Sequence, residues 1–266
     1  MKITMATAIL FCLMFLIGCG SVSPPEEFAV TKVAATALPE KMPTPLIDEV
    51  EQDDYWDEMR STNFKVKLLE TGEFHAEDIS EAKTNEIWLG LFKQGDSYSL
   101  LPTKIKVSKI PNPDLMDMEV KINQKSETVF LLKNADFLQQ SKIETVFQGE
   151  KGLGSEEDTE AVLNFNGETY RLWVEGKVEN KFLGKGSKLL LLKGETKQEI
   201  RYLKNGCNDC VWHLYWAGDL DNDGKLDFYM NLSDHYNIIE RVLFLSSQAE
   251  NENLVKAIAI FGTVGC

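Results

Sequence analysis

The stretch Cys210-Val-Trp-His-Leu-Tyr-Trp216, followed by Ala217-Gly218 and Asp219-Leu-Asp221-Asn-Asp223-Gly224-Lys-Leu-Asp227-Phe-Tyr-Met-Asn-Leu232, decides the fold. Ahead of the acidic run, Cys210, Trp212, Leu214 and Trp216 fall at every second position. Behind it, Leu226, Phe228, Met230 and Leu232 do the same, with Asp227, Tyr229 and Asn231 between them. A period of two marks a half-buried strand. Two such strands joined by a short run of Asp, Asn and Gly make a hairpin, so the chain reads as mostly β.

The loop between the strands has the form Asp-x-Asp-x-Asp-Gly-x-x-Asp, with carboxylates at Asp219, Asp221, Asp223 and Asp227. A hard divalent cation takes six to eight oxygens, and alternating Asp side chains on a tightly wound loop present them to one centre. Gly224 permits the sharp turn, and the carbonyl of Lys225 supplies a further oxygen. The bland alternative is a solvated acidic turn, since Asp and Gly are common turn residues. The loop resembles the calcium loops of EF-hands and of FG-GAP-type β-repeats. Met230 stands where an EF-hand has its bidentate Glu, and the flanks are strands, so the FG-GAP group is the nearer likeness. That resemblance implies one calcium held by Asp219, Asp221, Asp223, Lys225 and Asp227. Full FG-GAP propellers repeat the motif, whereas it occurs once here, so no propeller is expected.

Outward from the hairpin, strand signals continue. Ala161 to Phe165 and Glu168 to Val174 flank Asn166-Gly167, a pair suited to a two-residue turn with positive φ at both positions. Lys188 to Lys193 and Gln198 to Leu203 flank Gly194-Glu195. Phe64 to Leu69, Ile87 to Phe92, Ile105 to Val107 and Glu127 to Leu132 are short and rich in β-branched or aromatic residues. Ala135 to Lys142 reads as a short helix, and the Gly-rich stretch 151–155 as an internal boundary. The expectation is a mostly β protein whose antiparallel hairpins form a sandwich or two small β modules, 61–150 and 151–266, behind a disordered N-terminal tether.

Residues 1–18 have a Lys, then an apolar run too short to cross a bilayer. Leu16-Ile17-Gly18-Cys19 resembles the lipobox of bacterial lipoproteins, which implies cleavage before Cys19 and acylation of that residue. Gly20, rather than Asp, after the Cys implies the outer membrane. From 19 to 60 the chain reads as a lipid-anchored flexible tether, with Pro24, Pro25, Pro39, Pro43 and Pro45 and an acidic cluster around Asp48 to Asp54. The membrane, through the lipid, is thus one partner, and an envelope protein or glycan is a second candidate.

Twenty-eight Lys and Arg stand against 42 Asp and Glu, a formal net charge of −14, which repels phosphate backbones and excludes nucleic acid as a partner. Of the cysteines beyond Cys19, Cys210 reads as a buried thiol in register with Trp212. Cys207 then lies in a freer turn, able to reach Cys266 and form a disulfide. Cys207-Asn-Asp-Cys210 lacks the following helix of a thioredoxin-like site and the further ligands of a zinc site. Nucleophile-elbow, phosphate-loop and His-Glu-x-x-His motifs are absent from the sequence. The functional expectation is a non-catalytic envelope lipoprotein with one structural calcium. The alternatives are a calcium-stabilised carbohydrate- or protein-binding module using His213 and Tyr215, and a hydrolase whose carboxylates sequence cannot locate.

Overall fold

The computed structural model describes residues 62–264, apart from 112–114, 124, 125, 155–159, 177, 180 and 208. The expected signal segment 1–18 and tether 19–60, together with Cys19 and Cys266, lie outside the described residues. Every regular element described is a strand. They are β1 (Lys67–Leu69), β2 (Gly72–Phe74), β3 (Ile87–Gln94), β4 (Ser97–Lys109), β5 (Met118–Ile122), β6 (Glu127–Lys133), β7 (Ser141–Leu153) and β8 (Glu160–Phe165). There follow β9 (Glu168–Glu175), β10 (Val178–Glu179), β11 (Phe182–Leu183), β12 (Lys188–Lys193), β13 (Thr196–Tyr202), β14 (Trp212–Asp219), β15 (Asp227–Asn231), β16 (Ile238–Leu245) and β17 (Lys256–Val264). The short helix expected over Ala135 to Lys142 is not formed. Leu138 closes a single turn on Ala135, and the chain enters β7 at Ser141. One turn without a following apolar stripe cannot offset the cost of nucleating a helix.

All the strand pairs are antiparallel. The main path runs β1-β6-β3-β4-β7-β14-β15-β16-β17, and β1 at one end lies against β17 at the other, so the sheet curls towards closure. A separate four-stranded sheet has the order β13-β12-β9-β8. The expected turns are present: Phe165 pairs with Glu168 across Asn166 (φ 49°) and Gly167 (φ 78°), and Lys193 pairs with Thr196 across Gly194-Glu195. The position expected to divide two modules falls inside β7, which runs unbroken through 150 and pairs with both β4 and β14.

Two hydrophobic cores share the strands β14 to β17. Inside the curl, Trp216, Tyr229, Leu243 and Ala259 pack with Leu91, Leu100, Phe130 and Leu131. On the opposite face, Trp212, Leu214, Phe228, Met230 and Phe244 pack against Leu163, Leu172, Leu189 and Leu191 of the four-stranded sheet. Burial on both faces explains the unbroken apolar run Val242 to Leu245 in β16 and the burial of Tyr229 between Phe228 and Met230 in β15. It also moves Trp216. Leu214 pairs with Met230 but Trp216 pairs with Tyr229, so Tyr215 is an extra residue bulged out of the ladder. The bulge turns Trp216 to the face opposite Trp212 and Leu214, whereas strict alternation puts all three together. There its indole donates to Thr145 Oγ1 at 3.0 Å and meets Phe130 edge-on. Gly218 sets how closely β14 approaches β7, because a Cβ there would stand 2.4 Å from the Glu144 carbonyl oxygen.

The disulfide differs from the expected Cys207–Cys266 pair: Cys207 is bonded to Cys210, with their Cα atoms 5.8 Å apart. Cys210 is buried, as its register suggests, but β14 begins at Trp212, so Cys210 belongs to the preceding turn. Asp209, with φ 53°, folds that turn back and brings the cysteines within the usual disulfide span.

Candidate metal centre

The Asp loop closes the β14–β15 hairpin, with Asp219 the last residue of β14 and Asp227 the first of β15. Gly218 lies opposite Asp227 in the ladder, so the two strands themselves bring the first and last acids of the motif together. Between them the loop is wound by its own side chains. Asp219 accepts from the Asp223 amide at 3.0 Å through Oδ1 and from the Gly224 amide at 2.9 Å through Oδ2. Asp223 Oδ1 accepts from the Lys225 amide at 2.9 Å. The Asp223–Lys225 bond is an Asx turn, one physical reason for Asp at that position, and the Asp219 bonds draw the loop back onto the end of β14. Gly224 sits at φ +84°, and a Cβ there would meet only Asn166 Nδ2 at an ordinary 3.8 Å, so a side chain would be strained by backbone conformation rather than by collision.

One carboxylate oxygen each from Asp219, Asp221 and Asp227 lies within 4.8 Å of the others, a grouping that could hold a metal ion. Asp227 is fully buried and Asp219 nearly so. Asp221 is half-buried, and its Oδ1 is shielded from solvent without a hydrogen-bond partner. Among the described residues no lysine or arginine pairs with any of the three. Burial, and then the charge of Asp221, push the Asp227 carboxyl well above the usual carboxylate range. Hydrogen bonds from Ser246 and Leu220 pull against that shift. Burial raises Asp219 as well, opposed by the Gly224 and Asp223 amides. Three acids crowded out of water disfavour their own ionisation, and a cation at their centre removes that penalty.

The remaining two expected ligands behave differently. Asp223 is outside the converging trio: its carboxylate lies 3.1 Å from the Ser246 hydroxyl, whose one proton it shares with Asp227, and 3.7 Å from Lys225 Nζ. Lys225 is exposed on the loop's outer edge.

Residues distant in sequence support the loop. Asp227 Oδ2 accepts from the Leu220 amide at 2.7 Å, and Oδ1 accepts from the Ser246 amide at 2.8 Å and hydroxyl at 2.9 Å. Ser247 Oγ donates to Asp221. Both serines follow β16, whose Phe244 lies opposite Phe228 of β15, so the chain leaving β16 passes directly over Asp227. Asn166, in the β8–β9 turn, donates to the Gly224 carbonyl at 3.1 Å, and Asn222 donates to Ser141 Oγ at 3.1 Å. The Asp loop therefore ties together the main sheet and the four-stranded sheet. Nothing in the local sequence of Ser246-Ser247 marks these contacts, which follow from strand register alone. Comparison with protein-family models, with curated proteins and with solved structures returns no match.

Proposed function

We propose that this chain is a non-catalytic lipoprotein of the bacterial outer membrane, anchored through acyl chains on Cys19, whose β-domain is held by one structural calcium ion. The observation that carries the metal assignment is the meeting of Asp219, Asp221 and Asp227 within 4.8 Å, without a compensating lysine or arginine among the described residues. An all-oxygen donor set of carboxylates and carbonyls favours calcium. Magnesium demands a smaller and more regular octahedron, and zinc prefers His and Cys ligands. Asp219, Asp221 and Asp227 are direct ligands in this reading. The Lys225 carbonyl, Ser247 hydroxyl and water complete the shell, with Asp223 adding negative charge beside it. The role is structural because the loop joins two core strands and two sheets. An ion there fixes a hairpin and exposes no substrate.

The lipid reading rests on Leu16-Ile17-Gly18-Cys19, and several acyl chains on one residue suffice for firm anchoring at roughly 0.8 kcal/mol per buried methylene. Two measurements test the proposal. Thermal melting of metal-stripped protein should rise with calcium and much less with magnesium; no response to millimolar calcium refutes the structural ion. Metabolic labelling with a fatty acid should mark wild type and leave Cys19→Ser unmarked and released from membranes. A variant acylated and membrane-bound like wild type refutes the anchor.

A further inference from the structure

At the opposite end of the β14–β15 hairpin from the Asp loop lies a cleft of about 220 Å³, bounded by the start of β14, the end of β15 and the β15–β16 connection. Its chemistry is of a different kind. Arg241 stacks its guanidinium 4.0 Å from the centre of the Tyr215 ring and directs Nε to Glu70 at 3.2 Å. Its side chain is only 11% exposed, yet Nη1 has no hydrogen-bond partner. Asn231 spends its carboxamide oxygen on the Glu240 amide at 2.8 Å, which leaves its NH₂ group as a second donor. Glu150 supplies acceptors: it takes the Tyr215 hydroxyl at 3.1 Å, and its side chain remains 62% exposed. At the rim, Tyr236 is 68% exposed, and its ring lies on that of His235 with centroids 4.6 Å apart and planes 30° from parallel.

These features exclude several ligand classes. The Arg241 charge is already balanced by Glu70, and the Glu150 and Asp209 carboxylates border the same cleft, so an anion would be repelled. Among the described residues no three metal-ligating side chains converge here. The volume falls short of the roughly 300–1,000 Å³ of pockets for drug-sized molecules, so a single small ring is the natural measure of what fits. The Asn231 amide and the Glu150 carboxylate offer donors and acceptors together. Hydroxyl groups, which donate and accept at once, match that arrangement. An exposed aromatic face beside them suits the C–H face of a saturated ring.

We infer that this cleft binds a neutral pyranose sugar, its ring resting on Tyr236 and its hydroxyls shared between Asn231 and Glu150. The inference stands apart from the metal reading, because none of these residues belongs to the Asp loop. Saturation-transfer NMR on the full chain, held in a detergent without a sugar headgroup, tests it. The panel is glucose, galactose, mannose and N-acetylglucosamine, with cellobiose, lactose and chitobiose as their linked forms. At least one should show saturation transfer concentrated on the C–H protons of one ring. That signal should fall about tenfold in Tyr236→Ala, the effect of losing one aromatic contact. It should also fall in Glu150→Gln, an exposed position where folding is not at stake. No transfer from any member of the panel, or equal transfer in wild type and Tyr236→Ala, overturns the inference. Displacement of the sugar by inorganic phosphate would identify an anion site and overturn it as well.

Discussion

At the loop end of the β14–β15 hairpin, Asp219, Asp221 and Asp227 meet with no lysine or arginine among the described residues paired to them. At the other end, Arg241 is held by Glu70 at 3.2 Å, His213 lies 3.5 Å from Glu150, and the Cys207–Cys210 disulfide closes the preceding turn. One end of a single hairpin leaves buried charge uncompensated, while the other neutralises its charge with partners from β7, β16 and the segment after β1. Buried like charges raise the free energy of the folded state until a counter-ion arrives, whereas paired ones are satisfied by folding itself. Stability should therefore depend on ions at the loop end and on covalent and protonation chemistry at the cleft end.

The largest effect is expected from Asp227→Ala. It removes a carboxylate that accepts from Leu220, from the Ser246 amide and from the Ser246 hydroxyl. Hydrogen bonds to charged groups contribute about 1.5–3 kcal/mol each, so calcium-loaded protein should lose roughly 3 kcal/mol or more. Chemical denaturation in calcium measures it; a loss near zero would mean the serines and the loop are held by other contacts.

Calcium itself comes next. At a free concentration about a hundredfold above Kd, an ion that binds only the folded state adds roughly 2.7 kcal/mol. Asp221→Asn should abolish that gain and, because it removes one of three mutually repelling charges, melt no lower than wild type when both are metal-free. A variant less stable in the absence of metal would show that Asp221 acts structurally, not as a ligand.

At the other end, replacing both cysteines with serine opens a four-residue loop and should cost about 2 kcal/mol on the loop-entropy model. The calcium-induced rise in melting temperature should survive intact. Its loss would join the two ends into one cooperative unit and break the comparison.

The smallest effect is a pH dependence. Burial holds His213 below the ordinary imidazole range; Glu150 opposes that shift and Arg241 reinforces it. A histidine with a lowered folded-state value binds fewer protons folded than unfolded. Its contribution to stability is present above the unfolded value of about 6.5 and is lost as pH falls through the folded value. Melting of calcium-saturated protein should decline over that window, with less decline in His213→Gln. Parallel curves for the two proteins would assign the decline elsewhere.

Much of this arrangement was legible in sequence for a simple reason. The Asp spacing is local, and the strands on either side carry a period of two, so hairpin and ligand candidates could be read from neighbouring residues. What could not be read depends on long-range register. The bulge at Tyr215 sends Trp216 into the inner core, and alternation alone places it with Trp212. Ser246 and Ser247 reach the acids because Phe244 lies opposite Phe228, a pairing separated by the whole β15–β16 connection. Asp223 looks equivalent to its neighbours in the motif, yet its engagement with Ser246 and Lys225 keeps it outside the trio. The cleft lined by Arg241, Glu150 and Tyr236 draws on residues from three separate segments and has no motif at all.

Isothermal titration of calcium into metal-stripped wild type and Asp221→Asn tests the central claim most directly, namely that the uncompensated acids of the β14–β15 loop form a cation site. Wild type should bind one ion per chain, and the variant should show no binding over the same range. Equal binding in both proteins would place the ion outside this loop, and no binding in wild type would mean that the buried acids are kept neutral by protons instead.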